Sequence, residues 1–366
     1  MAKLLTRNQT LGRAAPGLVF YHQVEGLLVP PATLDFQVVD VSTPAKENDP
    51  VPVYPVSGWA AVDLSLIGGD TLGPGRYAPT WAVPANQPLG AHEVRWRWRE
   101  TLTSPLRFSQ ERFDVAQVGL PPGATLYALP SELRAEGVAS SKVSDARLVT
   151  ASLRAAQVIE RITRRFFEPR YLELRADGRG GRAVLLEMPI IAVDELRFDS
   201  LGVLVNTTFA DSDNYRVYNR HLQGVVQPDD RQSPRIELYG LRDAGSRASY
   251  GDLRFPRGQQ NIVVRGVFGF TEADGSPYGA TPVLLREAAM RLAIRNAGPL
   301  GSSQASGDRR YAGRITSERT RDQSVTYSAG SSTGLGAAAA NGAFTGDAEV
   351  DFLLGLFLAP PQMGAA

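Results

Sequence analysis

Over the first third of the chain, apolar residues recur at every second position in short runs broken by Pro and Gly clusters. These runs cover 18–24, 34–41, 60–66, 77–83, 93–100 and 112–116. Side chains of a strand point alternately to its two faces, so this spacing predicts the strands of a sandwich or barrel. The clearest run is Val94-Arg95-Trp96-Arg97-Trp98-Arg99, which puts Val94, Trp96 and Trp98 on one face and three arginines on the other. It predicts a half-buried strand with its tryptophans in the core, beside Tyr77 and Trp81, and a cationic outer face.

Residues 119–130, with their Pro-Pro-Gly, read as a linker. Beyond them the period changes. Leu148, Ser152, Ala155, Ile159, Ile162 and Phe166 recur at spacings of three and four, which predicts one helix over 144–167. Ser144 is its N-cap and Pro169 its stop. Val149, Leu153, Ala156 and Val158 widen the apolar stripe, and Arg154, Arg161, Arg164 and Arg165 fall outside it. Period-two patterning then returns and predicts strands at 171–175, 183–188, 195–199, 214–218, 235–238 and 261–268. Asp177-Gly178-Arg179-Gly180-Gly181 reads as a hairpin loop. A second helix is predicted over 283–296, with Thr281 as cap, Pro282 at its first position and Gly298-Pro299 after its end.

Residues 298–346 are mostly Gly, Ser, Ala and Arg, and 330–342 form a low-complexity tether. A short helix is predicted at 347–358. Asp347, Glu349 and Asp351 crowd its first turn, where the helix dipole favours acids. The residues that follow are too apolar to stay solvated, so a docking helix at the end of a tether is expected.

Composition narrows the chemistry. A chain of 366 residues has room for two or three domains. The absence of cysteine excludes disulfides, thiolate metal sites and thiol nucleophiles. His22, His92 and His221 lie far apart, which argues against a histidine-rich metal centre. The longest apolar run near either end, 352–358, is far short of the ~20 residues that span a bilayer. A soluble protein made inside the cell, with no membrane partner, is expected. Net charge is +1. Lys3, Lys46 and Lys142 are the only lysines; the other basic residues are arginines, whose planar fork suits phosphate and interface ion pairs.

Known catalytic patterns are missing. Gly334-Leu335-Gly336-Ala337-Ala338-Ala339 lacks the strand and helix that a dinucleotide fingerprint requires. Asp211-Ser212-Asp213-Asn214 is followed by Arg216 and Leu222 where a calcium loop needs glycine and glutamate, and so reads as an Asx turn. No GxSxG elbow or HExxH helix is present. His221 reads as a surface residue, His92 as a loop residue and Asp229-Asp230 as a solvated turn. Catalytic, cofactor-binding and metal-ligating residues are therefore not expected, and neither is an enzyme. Two arginine clusters remain. One is Arg154, Arg161, Arg164 and Arg165; the other is Arg309, Arg310, Arg314, Arg319 and Arg321. Each reads either as a solvated face paired with Glu160, Glu318 and Asp322, or as positive charge beside nucleic acid once copies assemble. Any contact would be to the DNA backbone and independent of sequence.

A series of motifs from 140 to 358 resembles the head–tail connector (adaptor) proteins of tailed bacteriophages. It starts with Ser144-Asp145-Ala146-Arg147-Leu148 and an Ala-rich helix that leads to Ile159-Glu160-Arg161-Ile162-Thr163-Arg164-Arg165-Phe166-Phe167-Glu168-Pro169-Arg170. The loop 177–181, the step 186–191, the run Val264-Arg265-Gly266-Val267-Phe268-Gly269-Phe270 and a Pro-started helix follow in order. Next come 314–319, 324–328 and the acidic-then-apolar C-terminus. The resemblance implies a non-enzymatic virion protein, built as a helical unit with a β-rich insertion. It implies assembly as a twelve-fold ring between the portal protein and a tail or stopper protein, with double-stranded DNA passing through the lumen. Carried onto this chain, Val350, Phe352, Leu353, Leu356 and Phe357 become the portal-docking face, and Arg309, Arg310, Arg314, Arg319 and Arg321 become lumen or interface arginines. The run from Tyr77 to Trp96 is similar to immunoglobulin-like modules of phage structural proteins.

The expectation is thus a multidomain chain. An Ig-like β-sandwich at 1–118 is followed by an α+β connector domain of long helices with a β-rich insertion at 119–330, then by a flexible tail with a tethered C-terminal docking helix at 331–366. The alternative function is a phage surface or tail binding module, whose Ig-like domain holds carbohydrate or a host surface through exposed Trp96 and Trp98.

Overall fold

A computed structural model describes residues 3–12, 18–65, 69–117, 119–120, 124–198, 215–219, 230–238, 254–298, 318–319, 324–325, 345 and 347–359. The chain divides into two compact units, and each is built from two separate stretches. One unit comprises 1–121 and 165–282, the other 122–164 and 283–366. This grouping differs from the consecutive segments 1–118, 119–330 and 331–366 expected from sequence.

The first unit is β-rich. Its largest sheet has the order Lys3–Thr6, Arg107–Ala116, Gly90–Arg99, Thr33–Asp40, Val51–Tyr54, and Ala60–Ala61 also pairs with Thr33–Asp40. All pairs are antiparallel except that of Lys3–Thr6 with Arg107–Ala116. Alternation along Gly90–Arg99 places Val94, Trp96 and Trp98 in the core as expected, where they meet Phe20, Tyr77 and Trp81 from small opposing sheets. Phe20 lies 5.2 Å from both Trp96 and Trp98 between ring centroids. Among the described residues of the N-terminal third, strands and turns are interrupted only by a short helix, α1 (Pro44–Asn48). Burial of Trp96 and Trp98 removes them as the carbohydrate contacts that the binding-module alternative requires.

The second β-rich block does not fold apart from the first. Leu27–Leu28 pairs in parallel with Ile190–Phe198 through Val193, and completes a sheet of order Arg170–Gly178, Gly258–Phe268, Ile190–Phe198, Leu27–Leu28, Gln23–Val24. Ile191, Ala192, Val267 and Tyr278 join the core of the N-terminal strands. Arg76 lies over the Tyr171 ring, 3.5 Å from its centroid, and the Tyr171 hydroxyl donates to Asp194. Burial, then that bond, pushes the Tyr171 hydroxyl up to about 12. Residues 177–181 do not close a hairpin: Arg170–Gly178 pairs with Gly258–Phe268, whereas Ala183–Leu185 pairs with Arg235–Leu238 in another sheet. The glycines there carry the chain from one sheet to the next.

The second unit is helical. It holds α2 (Pro130–Ala135), α3 (Asp145–Thr163), α4 (Val283–Ala297) and α5 (Ala348–Gly355), with the short pair Glu318–Arg319 and Ser324–Val325. Residues 126–130, expected in a linker, are buried, and Pro130 opens α2. Leu148, Ser152, Ala155 and Ile159 form the buried stripe of α3, but Val158 is exposed. The helix stops before Phe166 because Arg164 turns left-handed at φ 54°; Pro169 plays no part in ending it. With 19 and 15 residues, α3 and α4 are the longest of five described helices, and strands dominate the described residues of 165–282. A domain dominated by long helices is not what forms.

Candidate functional site

The C-terminal helix is where the sequence placed the partner contact. Asp347 caps α5, accepting from the amides of Glu349 and Val350. Within the helical unit, α5 packs on α4 and α3. Arg291 of α4 donates to Glu349 at 2.5 Å, and Arg295 donates to the Thr345 carbonyl at 3.0 Å. Val350 and Leu354 are fully buried, and Leu353 and Phe357 nearly so. This corrects the expected docking face: Val350, Leu353 and Phe357 fill the interior of their own subunit. A one-sided apolar helix saves more free energy by covering the adjacent helices than by waiting for a partner. Phe352 and Leu356 point the other way, at 52% and 50% exposed. They lie four residues apart, so their side chains share one face of the helix.

The arginine clusters separate. Arg309, Arg310, Arg314 and Arg321 lie outside the described residues; Arg319 sits in the strand Glu318–Arg319, paired with Ser324–Val325. Arg154, Arg161 and Arg164 are exposed on or beside α3. Arg165 is not: it is buried, donates to Gln232 and stacks over the Phe270 ring with 5.0 Å to the centroid. A cluster that sequence reading missed occupies two adjoining turns of the β-rich unit. Arg179 and Arg182 flank Gly180-Gly181, and Arg254 and Arg257 flank Phe255-Pro256; all four are exposed. The turns are joined by the Phe255 amide donating to the Gly181 carbonyl at 2.8 Å. A side chain at Gly180 would meet Arg257. The signal was a glycine-rich turn carrying arginines; that a second such turn lies beside it is a tertiary fact.

The remaining candidates have structural roles. His92 belongs to the strand Gly90–Arg99, not to a loop, and is buried against Phe113. Its Nδ1–H donates to the Gly90 carbonyl at 3.0 Å and Nε2 accepts from Gln87 at 2.6 Å, an assignment that follows from the partners. Burial holds its pKa low, as it does for His22. Asp230 is buried in a short 3₁₀ turn, Asp230–Gln232, and not solvated as expected. Asp229, His221, 211–214 and 334–339 lie outside the described residues. Among the described residues, no group of three or more His, Asp or Glu could hold a metal ion, and no helix is long and apolar enough to cross a membrane.

The outer face of the large sheet is not simply cationic. Arg97 is 2.7 Å from Asp35, Arg95 is 2.7 Å from Glu93, and Arg112 is 2.5 Å from Glu47. No protein-family model matches the chain, and no curated protein is found to be similar to it.

Proposed function

We propose that this chain is a structural protein of a tailed-bacteriophage virion. In this reading it is a head–tail adaptor, made in the host cytoplasm. Its copies form a ring, twelve-fold as the resemblance implies, between the portal and a tail or stopper protein. Double-stranded DNA passes through the lumen without sequence-specific contact. The observation that carries the reading is the order of the units. Residues 122–164 and 283–366 group as one compact unit whose described residues include α2 to α5, and 165–282, whose described residues are mostly strand, lies between α3 and α4 in the chain. Helix, β-rich stretch, helix is the chain order that the resemblance implies, and this order is what supports the reading.

The role is one of shape, with no chemical step and no cofactor. Heterologous contacts between copies close the ring. Partner contact through the whole C-terminal helix is replaced by contact through its exposed edge, Phe352 and Leu356. Arg179, Arg182, Arg254 and Arg257 supply charge for phosphates, with 309–321 as a second source. The test is particle mass by mass photometry, for the full chain alone and mixed with the portal of the same virion. A discrete ring-sized species with portal supports the reading. A monomer that ignores portal, or absence of the protein from purified virions, overturns it.

A further inference from the structure

We propose that the edge strand Arg170–Gly178 is an interaction surface for a second copy of this chain, which pairs with it antiparallel about a two-fold axis at Leu174. With nine residues, it is the longest strand at the end of a sheet among the described residues. One side pairs with Gly258–Phe268, and no described strand pairs with the other. Such an edge presents a row of backbone N–H and C=O groups that another chain can complete. Proteins usually blunt their edges with short strands, prolines or inward-pointing charges. The other end strands of the two largest sheets obey that rule: Lys3–Thr6 and Val51–Tyr54 have 4 residues each, Gln23–Val24 has 2, and Val51–Tyr54 contains Pro52. Arg170–Gly178 has no proline and turns Leu172, Leu174 and Ala176 toward an apolar core. Its one irregularity lies at the far end, between Ala176 and Gly178.

Two rows across the sheet select the occupant. On one face Glu195, Arg265 and Glu173 stand side by side on three neighbouring strands, and Arg265 bridges the carboxylates, 2.8 Å from Glu173 and 3.1 Å from Glu195. The charges alternate, and the row ends at the edge on the exposed Glu173. The contact of Glu173 with Arg175 of its own strand is looser, at 3.3 Å. On the other face Leu196 and Val264, both fully buried, lead to Leu174, which is only half-buried. A copy centred on Leu174 continues both rows. Glu173 of each copy meets Arg175 of the other, Leu172 meets Ala176, and the two Leu174 side chains meet. Centring the pair one residue earlier or later sets Glu173 against Glu173 or Arg175 against Arg175, and like charges directly opposite are destabilising. The strand is thus complementary to itself in one register. The contact is isologous, separate from the heterologous contacts of a ring, and is inferred without them.

Sedimentation velocity of the full chain over a range of concentrations tests it. A concentration-dependent step in which two copies pair is expected. Glu173→Arg and Arg175→Glu should each weaken that step about tenfold, because each sets like charges opposite one another twice across the axis. An equal mixture of the two variants should pair again, since every opposed position then joins an arginine to a glutamate. Changes confined to the fold of one chain would not be repaired by mixing two damaged chains. The proposal is overturned by a monomer throughout, by pairing that neither variant weakens, or by a mixture that stays apart.

Discussion

The backbone amide of Ala359 donates to the carbonyl of Thr163 at 3.2 Å, so the last described residue is tied to the last residue of α3. Helix ends leave carbonyls without intrahelical partners, and here the C-terminal segment supplies one. Deleting 347–366 should therefore unfold the helical unit instead of freeing a docking tail. Leu354→Ala alone should cost about 2–5 kcal/mol, the usual range for a buried leucine. Urea unfolding followed by circular dichroism checks both; a truncated chain with unchanged stability would show that α5 is dispensable.

On the proposed reading, Phe352 and Leu356, the exposed edge of α5, meet the partner. The double variant Phe352→Ser, Leu356→Ser should shift stability by less than about 1 kcal/mol, since each side chain is already half in water. Portal binding, read by co-sedimentation, should be lost. Intact binding would place the contact elsewhere.

Stability should fall as the pH drops below neutrality. His22 and His92 are both held below the ordinary histidine value, chiefly by burial. The unfolded chain therefore takes up these protons first, near pH 6.5, and the stability is complete above that value and lost below it. Each histidine adds a slope of up to about 1.4 kcal/mol per pH unit. The Asp40 carboxyl is pushed up by burial but held below its ordinary value overall by Lys46 and Ser42; its contribution is present above about pH 4 and lost only at lower pH. Urea midpoints at pH 7.5 and 5.5 should differ, and His92→Gln should reduce the difference.

Gly266 has no room for a side chain. A Cβ there would lie 2.2 Å from the Ala192 carbonyl oxygen, where Ile190–Phe198 slips register against Gly258–Phe268. Gly266→Ala should cost about 1–3 kcal/mol through forced displacement of that strand. Thermal unfolding measures it, and a neutral result would mean that the two strands separate easily.

Trp96 fills the core, yet its indole N–H has no hydrogen-bond partner there. Trp96→Ala should cost about 3–5 kcal/mol. Trp96→Phe should cost much less, because the lost packing is offset by removing a buried unpaired donor, itself worth about 1–3 kcal/mol. Equal losses in the two variants would show that volume alone matters.

Periodicity made the strands of both β-rich blocks legible. Arg235–Leu238 falls where the pattern put it, and Gly90–Arg99 turns its tryptophans inward as alternation demands. The two long helices were equally readable, although the end of α3 was not, since a left-handed Arg164 leaves no glycine or proline to announce it. Several short elements escaped as well, among them Lys3–Thr6, Leu27–Leu28, α1, Val51–Tyr54 and α2. Val51–Tyr54 carries a proline between its apolar residues, and α2 follows a Pro-Pro-Gly that reads as linker.

What the sequence determined by itself was local: which stretches alternate, which repeat every three to four residues, and that no thiol chemistry is possible. Only the tertiary structure decided which stretches share a core. Leu27 pairing with Val193 fuses blocks that composition separates, and Val350 and Leu354 turn an expected free helix into an interior one. It also set two arginine turns side by side. The physical reason is that an amphipathic pattern states that a face must be covered without naming the cover, and the choice among covers is made by packing between residues distant in the chain.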